Sequence, residues 1–175
     1  MSRGLLHAGG CFNRIADRTD APGLAAFDPG SGGLSSRFVP QRGGAVFALA
    51  ADGRGGLWVG GSLGGLPNGE ERGLDHLGAD GRPSGPVPVV EGSVYALAAR
   101  GGLLHLGGAF SRVGGRDRPG LATVRSGGSV TAFDPRPARG GRMALAALPR
   151  GGLLAGGPFG SMELRATSGL ARFRR

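Results

Sequence analysis

Few side chains in this sequence can do chemistry, and their spacing limits what that chemistry could be. The 175 residues include three histidines, one cysteine and 12 acidic residues. His7 and His105 stand in the same short phrase, Leu5-Leu6-His7-Ala8-Gly9-Gly10 and Leu103-Leu104-His105-Leu106-Gly107-Gly108. Imidazoles at equivalent strand positions could ring an axis and hold a metal. No carboxylate or thiol accompanies them at ligand spacing, so a tolerant packing position is the better expectation. Asp17, Thr19 and Asp20 offer oxygens to calcium but fall short of the acidic count and spacing of a calcium loop. Glu70 and Glu71 are adjacent and need not face one substrate, as the paired carboxylates of a glycosidase must. Cys11 is the sole thiol, and its counterparts in the recurring phrase are Ser62, Ala109 and Pro158, which reads as a small packing position. The run Gly60-Gly61-Ser62-Leu63-Gly64-Gly65 lacks the strand-to-helix context of a phosphate cradle. No catalytic residue, metal ligand or cofactor site is therefore assigned.

The charge excludes further classes. Net charge is +9, and all 21 basic residues are arginine. Without lysine there is no phosphate-binding loop ending in Gly-Lys-Ser/Thr, no Schiff base and no Ser-Lys dyad. A basic excess can serve a polyanion such as nucleic acid or an acidic glycan. Here the arginines are scattered through the loops without a block or interleaved aromatics, so nucleic acid is not the expected partner.

Positioning these side chains falls to short strands. Glycine supplies 39 residues with no Gly-X-Y period, and a Gly or Pro interrupts nearly every stretch long enough for a helix. An all-β chain is expected. Four copies of Leu-x-x-Gly-Gly place their Gly-Gly pairs at residues 9, 60, 107 and 156, a period typical of repeat architectures. In step with them run Gly23-Leu24-Ala25, Gly73-Leu74-Asp75, Gly120-Leu121-Ala122 and Gly169-Leu170-Ala171. Ala48-Leu49-Ala50, Ala96-Leu97-Ala98 and Ala144-Leu145-Ala146 recur as well, as do runs ending near proline at Phe38-Val39-Pro40, Val87-Pro88-Val89 and Phe133-Asp134-Pro135. Each unit thus offers four apolar runs parted by turn residues, a four-stranded antiparallel unit. The Gly-Gly pair is expected where a side chain would collide with the neighbouring unit. The units read as about 5–51, 52–99, 100–148 and a partial 149–175 within a single domain spanning residues 1–175.

Leu-x-x-Gly-Gly-x-Phe, then Gly-Leu-Ala-x-Phe, Phe-x-Pro and Val-x-Ala-Leu-Ala together resemble the bacterial delta-60 repeat, a kelch-like β-propeller unit. The likeness is strongest over residues 5–28, 46–61, 94–110 and 120–124, and weaker where Asp75 replaces alanine. It implies four-stranded blades, tandem copies in large surface or secreted proteins, and no catalytic residue. Strand counting gives about three and a half blades, an incomplete propeller that either continues in a longer array or oligomerises. The expected function is a non-enzymatic binding or structural module with a protein or glycan partner. A propeller-based hydrolase and a truncated remnant are the alternatives. Leu24, Phe47, Leu49, Phe110 and Leu121 are the expected core, and His76 is expected at the surface. Recognition is expected on the loops between the Gly-Gly and Gly-Leu strands, with Arg18, Arg72, Arg116 and Arg118 as its binding residues. The resemblance points to the cell surface or beyond, although no signal peptide precedes the first repeat and no apolar run is long enough to span a membrane.

Overall fold

The computed structural model describes residues 4–15, 23–40, 44–64, 72–137, 141–159, 161–162, 165–166 and 169–174. Among these residues there are strands and no α-helix, and hence no helix able to cross a membrane. The strands are β1 (Leu6–Gly9), β2 (Leu24–Phe27), β3 (Gly44–Ala51), β4 (Leu57–Leu63), β5 (Arg72–Leu77), β6 (Val90–Arg100) and β7 (Leu103–Val113). They continue as β8 (Arg116–Asp117), β9 (Leu121–Arg125), β10 (Ala144–Ala147), β11 (Leu153–Gly156), β12 (Ser161–Met162), β13 (Arg165–Ala166) and β14 (Leu170–Phe173).

Each Gly-Gly strand lies at the centre of an antiparallel unit that begins with the preceding Ala-Leu-Ala strand. The sheets therefore straddle the bounds 51/52, 99/100 and 148/149 read from the sequence, and each sheet is counted as one unit. An Ala-Leu-Ala strand pairs on one side and a Gly-Leu strand on the other, giving β3-β4-β5, β6-β7-β9 and β10-β11-β14. The first unit has β1 and β2 alone. No sheet closes on itself, and a single pairing of Arg72 with Glu91 links the second and third units.

The fourth strand is far shorter than the sequence pattern implies. It is reduced to one bridge per unit, Phe27 with Leu34, Leu77 with Pro83 and Val124 with Val130. Two backbone hydrogen bonds hold each bridge, as when the Ser35 amide donates to the Ala26 carbonyl at 2.8 Å and the Asp28 amide to the Gly33 carbonyl at 2.9 Å. The runs near proline lie beyond these bridges and are not strands. Proline has no N–H for a ladder and restricts the residue before it, so the pairing stops there. Their large side chains plug the gaps between units instead. Phe38 is buried between the first two units, while Val87 and Phe133 pack at the next two junctions.

The apolar core is divided accordingly. One cluster gathers Leu24, Phe38, Val46, Leu57, Val59 and Leu77 from units one and two. A second joins Trp58 and Leu74 to Val90, Val94, Leu104 and Leu106. A third joins Ala96, Ala98 and Leu121 to Met143, Leu153 and Ala155. Every cluster thus lies at a junction between consecutive units, as repeat stacking demands. Of the expected core, Leu24, Phe110 and Leu121 are buried and Leu49 packs against the first cluster. Phe47 is exposed. It sits at the register shift between Val46 and Ala48, and the bulge turns its ring outward against Tyr95, at the matching bulge of β6, with ring centroids 5.2 Å apart.

The first glycine of each pair explains how closely the sheets approach. A Cβ on Gly9 would stand 2.5 Å from Val46 Cγ1, and one on Gly60 would stand 2.8 Å from Val94 Cγ1. On Gly107 it would stand 2.5 Å from the Met143 sulfur, whereas on Gly156 it would meet nothing nearer than 3.8 Å. Substituting alanine should therefore cost different amounts at equivalent positions. Gly60→Ala should lower stability by about 1–3 kcal/mol, because Val94 is held by its own strand. Gly107→Ala should cost less, since Met143 can swing aside. Gly156→Ala should stay within about 0.5 kcal/mol of the parent. Chemical-denaturation midpoints measure the series, and equal costs at Gly60 and Gly156 would contradict this account of the glycine.

Candidate functional site

The two ends of the strands differ in charge. At one end lie the loops between Gly-Gly and Gly-Leu strands, where the sequence places Arg72, Arg116 and Arg118. Arg18 falls outside the described residues, as do Asp17, Thr19, Asp20, Glu70 and Glu71. Arg72 opens β5 opposite Glu91, and Arg116 is exposed in β8. Carboxylates mingle with arginines here, for Arg112 approaches Glu91 at 3.8 Å and Asp117 at 3.5 Å. Arg118 is largely buried. Its guanidinium pairs with Asp134 at 3.4 Å and donates to the Thr131 carbonyl at 3.1 Å and the Asp117 carbonyl at 2.7 Å. This arginine pins the loop after β7 to the segment following β9. Among the described residues of this end, Arg112 and Arg118 already have partners.

The opposite end carries a cleft of about 500 Å³ between the third and fourth units. Arg100 and Arg150 reach it from the β6–β7 and β10–β11 turns, and Arg125 and Arg174 from the ends of β9 and β14. Its floor is His105, Thr123, Phe133 and Phe173, and among the described residues no acidic one lines it. Phe133 and Phe173 meet edge to face with centroids 5.0 Å apart, presenting a rigid apolar wall. Arg100 donates to the Pro149 carbonyl at 3.2 Å, tying one turn to the other. Arg125 and Arg174 each follow the leucine of their Gly-Leu phrase by four positions. That coincidence is the sequence signal for the cleft.

One strand position, together with the residues that face it, shapes each junction. His7, Trp58, His105 and Leu154 are equivalent, and their cross-strand partners are Ala26, His76, Thr123 and Arg172. Trp58 stacks on His76 with centroids 4.1 Å apart, and only about 140 Å³ remains open beside it. His105 is smaller and hydrogen-bonds the Thr123 hydroxyl at 2.7 Å, which leaves the cleft. His7 packs edge-on to Phe38 in its own junction. Burial holds the His105 imidazole below its ordinary pKa of 6.5, so the positive charge of the cleft at neutral pH belongs to the arginines.

His76 is not at the surface, because Trp58 covers it. Both ring nitrogens face acceptors, the Ser84 carbonyl at 2.7 Å and the Asp52 carboxylate at 3.0 Å. Burial alone would raise the Asp52 pKa. Amide donors from Arg54 and Gly56, together with His76, outweigh it and hold the carboxyl below its usual 3.8. Gly60 and Gly61 lie inside β4, where a side chain on Gly60 would strike Val94, so that run forms no phosphate cradle. Among the described residues no three His, Cys, Asp or Glu side chains gather to hold a metal. No family model matches the sequence, and no curated protein matches it.

Two outcomes follow from these contacts. A depressed carboxyl stabilises the fold above its unfolded pKa and loses that effect as pH falls through its folded value. Asp52→Ala should therefore cost about 1–2 kcal/mol at neutral pH, with the gap to the parent narrowing below about pH 4 in acid-titrated denaturation. Arg118→Ala should cost about 1–3 kcal/mol by thermal or chemical unfolding, because it leaves the Thr131 and Asp117 carbonyls without their donor and Asp134 with Arg136 alone, whereas Arg116→Ala should change stability by less than about 0.5 kcal/mol.

Proposed function

We propose that this chain is a non-enzymatic binding module, a β-propeller-type array of blades of the delta-60 kind, whose cleft between the third and fourth units takes a short acidic glycan. Blade-like units stacked in chain order support the architectural half of this reading. One observation carries the ligand half, namely four arginines lining a cavity that no carboxylate of the described residues lines. Planar guanidinium forks match carboxylate and sulfate groups in a bidentate way. The Phe133–Phe173 wall suits the apolar face of a sugar ring, and the volume lies in the range of small-ligand sites. Nucleic acid is a poorer fit, since the cleft lacks the row of exposed rings that stacks successive bases.

Titration calorimetry with short sulfated and uronic-acid oligosaccharides tests the reading. The parent protein should bind, and Arg125→Gln with Arg174→Gln should weaken binding about tenfold or more. His105→Trp, which copies the filled junction of the second unit, should abolish it while leaving the melting temperature near that of the parent. Arg72→Gln and Arg116→Gln should leave affinity unchanged. Affinity should also be flat above about pH 6.5, where His105 stays neutral. Loss of binding through Arg72 and Arg116 rather than through the cleft would transfer recognition to the other end.

A further inference from the structure

Five large apolar side chains are exposed among the described residues, and two of them differ in kind from the rest. Leu170 is 60% exposed, yet its equivalents Leu24, Leu74 and Leu121 are exposed by 1%, 0% and 0%. Leu6 is 53% exposed, while its equivalents Leu57, Leu104 and Leu153 are exposed by 4%, 1% and 1%. Both positions are buried everywhere the chain supplies a neighbouring unit. The two exceptions lie on the first and fourth units, on faces that no other described unit covers.

The faces around them are built as halves of a junction. Across each sheet runs a row of alanine, glycine and leucine: Ala48–Gly60–Leu74, Ala96–Gly107–Leu121 and Ala144–Gly156–Leu170. The first two rows receive Val94 with Leu97, and Met143 with Leu145, from the next unit. The third receives nothing from another unit among the described residues, and further along the same sheet a hollow of about 430 Å³ is lined by Leu154 and Arg172. The first unit presents the reverse half, because Leu6 stands where Leu57, Leu104 and Leu153 press into the preceding sheet.

We propose that the outer face of the fourth unit binds the first unit of a second copy of this chain, continuing the stack head to tail. Continuity with the three internal junctions selects this occupant, since each half-face already has its complement elsewhere in the same molecule. The interface is heterologous, because a donating face meets a receiving face and neither is complementary to itself. It uses the side of the fourth unit away from the arginine cleft, the two sharing only Leu148, Pro149, Arg150 and Gly151 of the β10–β11 turn, and it does not depend on that cleft's ligand.

Sedimentation velocity at increasing concentration tests the proposal with Leu6→Asp and Leu170→Asp, both at sites open to solvent in the single chain. The parent should grow beyond monomer mass as concentration rises. Each variant alone should need about tenfold more protein, or more, to associate. An equimolar mixture of the two should form a dimer and stop there, since one partner keeps its receiving face and the other its donating face. Ala146→Glu, on the same face as Leu170, should behave as Leu170→Asp does, and melting temperatures check that every variant is folded. A parent that stays monomeric, a variant that associates as the parent does, or a mixture no heavier than its components would each overturn the proposal.

Discussion

Everything in this molecule depends on how near one sheet can come to the next. The units are too thin to hold a core of their own, so apolar side chains are buried only where two sheets meet. The approach is set by one atom that is missing. A glycine faces the Val-Leu or Met-Leu pair of the following unit at three successive junctions, and a methyl group there would lie inside the contact distance of that pair. Leucines flanking the glycine then reach across and become fully buried, each contributing about 1.5–3 kcal/mol relative to exposure. The repeated Gly-Gly is therefore a spacing device, and the three apolar clusters are its result.

Much of this was legible in the sequence. The Leu-x-x-Gly-Gly phrase located the central strand of every unit, and the Ala-Leu-Ala and Gly-Leu phrases located its two partners. The idea that the glycine avoids a collision with a neighbour could be framed before any coordinates, because a strand interior gives glycine few other uses. Where the reading went astray, local pattern was overruled by geometry it does not encode. Phe38, Val87 and Phe133 carry the apolar signature of a strand but serve as plugs, since prolines deny their segments a ladder. Phe47 fits the alternation of a core residue, yet a bulge of one residue turned it outward. His76 looked variable, and it is covered because the residue across from it happens to be tryptophan.

Charge shows a similar limit. A count of arginines says nothing of which ones already have partners. The loops that vary most between units hold arginine and aspartate side by side, and there Arg112 meets Glu91 and Asp117 while Arg118 meets Asp134 and two carbonyls. At the turns, arginines from two units converge without an acid between them. Sequence variability points to the first set, and the proposed glycan site rests on the second. Finding the cleft required knowing which turns share an end of the stack, and that is a property of strand direction rather than of composition.

The slot held by His7, Trp58, His105 and Leu154 has a consequence of another sort. Its occupant alters the free volume of a junction while the strands on either side keep their register, because the backbone contact is already fixed by the neighbouring glycine. Scaffold and specificity are thereby uncoupled within two residues of one strand. An ancestral array could exchange tryptophan for histidine at one step and open a cavity at little expense to folding, then close it again by the reverse change. Tandem arrays built on this plan can diversify one compartment at a time, with the remaining compartments holding the molecule together while the trial is made.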